Sequence, residues 1–460
     1  MQVSNFIKFY KFPLLLAFTS LLFYASFAYK LERTDSIKLL ILYTSLFVIF
    51  YKIIQLTKHN IKFLTWLAFG FRALFILSIP SLSQDFYRFI WDGRMILEGF
   101  NPYLYTPEFF IANSQFPIAQ AQELYNGMGS LSASNFTNYP PLNQLCFIIA
   151  GLFAGQSILG SVIVLRLLII AADFGILYFG KKLLMKLKLP THLIFWYILN
   201  PFIIIELTGN LHFEGVMLFF LIWSLYLLEK HKWPFAAVVF ACSVSVKLIP
   251  LLFLPLLFTW FRKEHCIEDK LTKTSRNDIL KLLMFYGIVG LTTVCFFIPF
   301  YSTEFLTNYT NTVALWFQNF EFNASLYYIF RQIGFWISGY NQIAIIGKFT
   351  AIFVFIFVII LAIYKKPKNT KQLIFTMLIV LTVYYFTATT VHPWYVATLV
   401  LLGVFTNYKF PLVWSFMIIF SYLSYSNAKN SENLWIIAFE YFVVFSVFLH
   451  DIFKPKPLET

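Results

Sequence analysis

The run Ser83-Gln84-Asp85-Phe86-Tyr87-Arg88-Phe89-Ile90-Trp91-Asp92-Gly93-Arg94 gathers two carboxylates and two guanidinium groups just after a long apolar block. Asp85, Arg88 and Asp92 stand at i, i+3 and i+7, so on a helix they share one face. Two readings suit that face. A carboxylate beside cations can act as a general base toward a hydroxyl. The same spacing also builds a salt-bridge ladder at a helix end, whose exposed pairs contribute only ~0.3–0.5 kcal/mol each.

Further charges lie within apolar segments, where they are expensive and tend to be functional. Lys247 stands near the middle of the block 234–261. It reads as an anion-binding cation, or as a side chain that snorkels to a headgroup or pairs with a carboxylate. Arg331, in the aromatic-rich stretch 301–341, could serve as an anion-binding cation likewise. Arg166 and Asp173 lie seven apart on one helix, and a structural ion pair is the stronger reading there. Glu206, His212 and Glu214 bracket the tip Gly209-Asn210-Leu211-His212, where they either bind a substrate or cap two helices. Trp91, Tyr103, Trp316 and Trp394 fit an aromatic belt at the membrane boundary.

The elements that must position these groups are membrane helices. Of the 460 residues, 59% are hydrophobic and 12% charged, against roughly 25% charged in an average globular protein. Apolar blocks of about 18 to 23 residues are long enough to cross a ~30 Å hydrocarbon layer. The net charge of +14 comes from Lys and Arg clustered between apolar blocks, with no basic stripe. That pattern follows the positive-inside rule and gives no footing for nucleic acid. Cys146, Cys242, Cys266 and Cys295 show no metal spacing and read as ordinary small apolar residues.

With Lys8 and Lys11 inside, helices near 12–29, 37–56 and 63–80 place the stretch 81–140 outside. Residues 142–154 are too short to cross and read as a half-helix. The span 158–180 returns to Lys181, Lys182, Lys186 and Lys188. Helices near 191–209 and 214–229 form an outward hairpin, and 234–261 reads as a hairpin broken near Lys247. The loop 262–278 is cytoplasmic, and 301–341 forms a second outer stretch between spans 279–300 and 342–364. Helices near 372–389, 395–410, 411–426 and 434–450 then end at Lys454 and Lys456 inside. The expectation is one domain over 1–460: an all-α polytopic transmembrane bundle of about 12–14 spans, re-entrant segments included. It is multi-pass in the plasma membrane with both termini cytoplasmic.

The segment from Asp85 to Tyr103, followed by Asn138-Tyr139-Pro140-Pro141-Leu142, resembles the polytopic glycosyltransferases of the GT-C fold. It is especially similar to bacterial polyprenol-phosphate-mannose-dependent mannosyltransferases, and distantly to the first mannosyltransferase of GPI-anchor synthesis. Asn200-Pro201, Gly209-Asn210-Leu211-His212, Val246-Lys247-Leu248-Ile249-Pro250, Phe322-Asn323-Ala324-Ser325-Leu326 and His392-Pro393-Trp394-Tyr395 follow in order. The similarity runs over roughly residues 60–400. It implies a polyprenyl-phosphate sugar donor, a glycan or glycolipid acceptor, membrane lipid around both, and an active site at the outer face.

Phosphate, with a second pKa near ~6, leaves without a general acid, so one carboxylate suffices for an inverting displacement. Asp85 is that base by family position. Arg88, Asp92, Arg94, Tyr139, His212, Lys247, Arg331 and His392 are the expected substrate-binding residues. No cofactor and no metal are expected, since Gln84 stands where many relatives carry a second acid. Two other classes stay open: a transporter or flippase of lipid-linked sugars, and a lipid-linked glycan polymerase or ligase. The gathering of polar groups at one face, rather than at repeats meeting near the midplane, favours surface chemistry over transport.

Overall fold

A computed structural model describes residues 3–261, 276–318, 320–365, 369–426 and 430–454. The expected cytoplasmic loop 262–278 falls almost wholly outside them, as does the side chain of Trp316. Among the described residues the chain is helical, with no strand beyond one isolated bridge between Phe322 and Thr390. Among the described residues seven helices are long and apolar enough to cross a membrane: Tyr10–Lys30, Ser36–Thr57, Ile158–Lys186, Asp278–Phe300, Ile343–Tyr364, Thr370–Thr387 and Leu434–Phe453. The pair Thr191–Ile198 and Pro201–Gly209, bent by 50°, makes an eighth if it is one span. Shorter apolar helices, Pro141–Ala154, Trp233–Val246, Pro393–Val404 and Phe410–Ser426, complete the bundle. The protein is a polytopic helical membrane protein.

The chain divides into two compact units. The first holds residues 1–186, 190–251 and 284–315. Its opening helices are α1 (Val3–Lys30), α2 (Ser36–Thr57), α3 (Ile61–Ala73), α4 (Asp85–Leu97), α5 (Pro107–Ala112), α6 (Ala121–Ala133), α7 (Pro141–Ala154) and α8 (Ile158–Lys186). The third of these stops well short of the expected 80. Pro80 disfavours helical geometry at the residue before it. The carbonyls of Ile76 and Ser78, which a longer helix would use internally, are instead taken by the Arg166 guanidinium at 2.9 and 2.7 Å.

Arg166 and Asp173 do not pair with each other as expected. Seven residues of helix separate them by ~10 Å along the axis, beyond ion-pair reach. Asp173 Oδ2 accepts from Arg72 Nε at 2.7 Å, both side chains fully buried. Arg72 Nη1 also donates to the Ile198 carbonyl at 2.7 Å. Trp91 and Tyr103 are fully buried rather than placed in an aromatic belt.

Helix α4 lies close on α7. A Cβ on Gly93 would stand 2.3 Å from the Phe147 carbonyl oxygen, so only glycine permits this approach. Phe89 stacks on Phe147 at 4.6 Å between centroids, and Tyr139 meets Phe89 edge-on at 5.0 Å. Gly93→Ala is therefore expected to destabilise the protein by ~1–3 kcal/mol through overpacking, read as a lowered thermal midpoint in detergent. An unchanged midpoint would show that the two helices separate freely.

The second unit holds 187–189, 252–283 and 316–460. Its polar anchor is Asn323, whose Nδ2 donates to Glu440 Oε1 at 3.2 Å and whose carbonyl accepts from Tyr441 Oη at 2.8 Å. Phe322 is tied by its N–H to Thr389 at 3.1 Å and by its carbonyl to the Val391 N–H at 2.9 Å. These bonds hold the 320–326 segment beside the His392-Pro393 turn.

Candidate active site

Asp85 opens α4. An acid in the first turn meets unpaired N–H groups and the positive end of the helix dipole, and the Asp85 N–H itself donates to Ser83 Oγ at 3.3 Å. The side chain is 35% exposed, unlike the other charged groups of this helix. A second segment faces it. Residues Ile204–Gly209 form one turn of π-helix, a geometry frequent at functional sites. The chain then turns at Asn210 and Leu211, the latter at φ 63°. Asn210 Oδ1 accepts from the Leu82 N–H at 3.3 Å and joins the two segments.

This turn sets the buried His212 between two carboxylates. Its Nδ1 lies 3.9 Å from Asp85 Oδ2, and its Nε2 lies 3.8 Å from Glu206 Oε2. Nearby, Glu214 opens helix Glu214–Glu229 and pairs with Lys247. Helix Trp233–Val246 ends at Lys247, whose backbone is extended, so the break expected in 234–261 falls at this residue. Of the readings open to Lys247 in the sequence, pairing with a carboxylate is realised: its ammonium is held by Glu214, 33 residues away. It is still 20% exposed, whereas Glu214 is buried.

Burial is the main influence on the Asp85 carboxyl, pushing it up to about 6. Lys247 opposes the rise, Glu214 adds to it, and Arg33 opposes it. Because about a third of the side chain is open, water reaching it pulls the value back toward the ordinary carboxylate range. The sign is plain: the group is a competent base above its pKa and loses that capacity as pH falls through it.

The remaining expected site residues divide by position. Arg88 Nε binds Asp92 Oδ1 at 2.7 Å, one turn along α4, and Arg88 Nη1 donates to the carbonyls of Ser132 and Asn135. Asp92 Oδ2 accepts from Gln144 Nε2 at 3.0 Å. Arg94 donates to the carbonyls of Ala119 and Gln156. All three are buried and fasten α4 to the polar stretch 81–140 and to α7, so the shared face splits: Asp85 opens outward while the rest turns inward.

Tyr139 is half-buried, and its carbonyl accepts from Tyr103 Oη at 2.5 Å. Burial pushes its hydroxyl well above the ordinary tyrosine range, with a smaller upward push from Asp85 that Arg88 opposes. Arg331 and His392 belong to the second unit. Arg331 pairs with Glu321 and lies over the Tyr328 ring at 4.4 Å. His392 stacks on Trp394 at 4.6 Å.

Two contributions escaped the sequence reading, the identity of Glu214 as the carboxylate that pairs with Lys247 and the Arg166 contacts. Their only sequence signal is the presence of charges in apolar segments; their partners are distant in the chain. At the other end of α4 an apolar cleft of about 430 Å³ is lined by Ile96, Phe100, Leu142, Leu145, Phe296 and Phe300, among others.

No curated protein matches the chain at a significant level. Residues 31–262, just over half of the chain and the whole of the Asp85–His212–Lys247 region, match the N-terminal domain of alpha-(1->6)-mannopyranosyltransferases. The chain belongs to the alpha-(1->6)-mannopyranosyltransferase family, and is a polytopic membrane mannosyltransferase.

Proposed function

We propose that the enzyme transfers mannose from a polyprenyl-phosphate donor to a hydroxyl of a lipid-linked or cell-surface glycan, with inversion, at the outer face of the plasma membrane. The observation that carries this is a partly open carboxylate, Asp85, beside the buried His212 and under the influence of the partly exposed Lys247, in the region matched to the family. The outer face and the cytoplasmic termini rest on the basic flanks, such as Lys181 and Lys182, lying inside.

In this reading the Asp85 carboxylate takes the proton of the acceptor hydroxyl as its oxygen bonds to C1 of the mannose. The C1–O bond to phosphate breaks, and its electron pair leaves with the phosphate. Lys247 exchanges Glu214 for the phosphate and balances the charge that develops on it. His212, held between Asp85 and Glu206, orients the base, and Tyr139 helps to shape the sugar pocket. Arg88, Asp92 and Arg94 act from behind, by fixing α4. The apolar cleft at the end of α4 takes part of the isoprenoid tail. The scheme uses no nucleotide and no metal, and assigns no step to Arg331 or His392.

Lys247→Gln tests the phosphate role. With Glu214 also changed to Gln, so that no buried charge is left alone, donor KM is expected to rise by about 10–10²-fold, as for a lost charge-assisted contact. The acceptor KM should stay near wild type. A donor KM that does not move would remove Lys247 from the phosphate site.

A further inference from the structure

The side chain of Arg166 is fully buried in α8, yet it reaches the two segments that carry the facing groups of the site. Its Nη1 donates to the carbonyls of Ile76 at 2.9 Å and Ser78 at 2.7 Å, in the unwound stretch that leads into Asp85. Its Nε donates to Thr208 at 2.8 Å and its Nη2 to Gly209 at 3.0 Å, at the end of the π-turn that leads into His212. One planar fork thus joins two irregular segments 130 or so residues apart in the chain. All four acceptors are main-chain carbonyls; those of Thr208 and Gly209 end the π-turn, where a cation is favoured.

The chain that leads from these carbonyls to Asp85 and to His212 has no regular structure of its own to fix its height. Residues 74–84 follow the end of α3, and Asn210–Phe213 is a turn. A further tie between them is the Leu82 N–H to Asn210 Oδ1 bond at 3.3 Å. Lysine cannot replace the fork: its compact ammonium has three donors and no fixed plane.

We propose that Arg166 is a positioning residue for mannosyl transfer: by clamping the Ile76–Ser78 and Thr208–Gly209 carbonyls together, it sets the distance between Asp85 and His212. This rests on Asp85 being the base, as proposed above. Arg166 does not touch substrate; it acts through the backbone that bears the two groups. A displacement of ~1 Å at a reacting group costs about 10²-fold in rate, so the clamp reports in turnover and not in binding.

The test is steady-state transfer of radiolabelled mannose from polyprenyl phosphate by full-length wild type and Arg166→Lys in detergent. Active sites are counted by saturable binding of labelled donor. The expected result is a kcat per donor-binding site about 10²-fold lower, with donor KM within about threefold of wild type. A merely structural role would lower the number of binding sites and leave kcat per site unchanged, and that result overturns the proposal. If Arg166→Lys does not accumulate, Asn210→Ala weakens the second tie between the same segments. It is expected to lower kcat per site several-fold at constant KM, and an unchanged kcat per site overturns the proposal equally. Absence of transfer by wild type itself would instead bring down the donor reading, so the two failures are distinct.

Discussion

Asp85→Asn is expected to lower kcat by about 10²–10⁴-fold, the contribution of a positioned general base, while donor and acceptor KM stay near wild type. The amide has the shape of the carboxylate but cannot take the acceptor's proton. The fold should survive, because the side chain is the partly open member of α4 and its helix-end contribution is only ~0.3–1 kcal/mol. The pH dependence gives the second signature. Burial raises the carboxyl, so the wild-type rate should fall as pH drops through that raised pKa, and the residual rate of Asp85→Asn should lack that limb. A variant that keeps wild-type turnover would make Asp85 structural.

Arg72→Met should have the largest effect on the fold, a loss of ~3–5 kcal/mol. Methionine fills much of the same volume, but Asp173 is left buried and charged, without the Arg72 Nε–H that it accepts at 2.7 Å. The Ile198 carbonyl loses its donor as well. Replacing both partners, Arg72→Met with Asp173→Leu, removes the uncompensated charge and should recover most of the loss. The measurement is the thermal midpoint and monodisperse yield in detergent for the two single variants and the double. Equal destabilisation by the single and the double would show that the charge pair is not the cause.

The fold class was legible because lipid leaves so few options. Long apolar blocks must become helices, and spans such as Ile343–Tyr364 and Leu434–Phe453 lie where hydropathy places them. The break at Lys247 was legible as well, since a charge and Pro250 stand together in an apolar segment. What could not be read was which charges meet. Arg166 and Asp173 share one helix, yet each finds its partners on other segments, Asp173 in α3 and Arg166 at four carbonyls.

The cluster at Asp85 shows the same division. The i, i+3, i+7 spacing gives one face, but packing against α7 decides that Asp92 faces Gln144 while Asp85 is left partly open. The pairing of Lys247 with Glu214 likewise depends on how two helices lie together, which no local pattern contains.

The most direct test of the central claim is donor choice by the wild-type protein in proteoliposomes, with labelled mannose supplied either on polyprenyl phosphate or on a nucleotide. The account predicts acceptor-dependent transfer from the lipid phosphate and none from the nucleotide sugar. Transfer from the nucleotide sugar alone would contradict it, because no lipid-phosphate donor would then be needed beside Asp85 and Lys247.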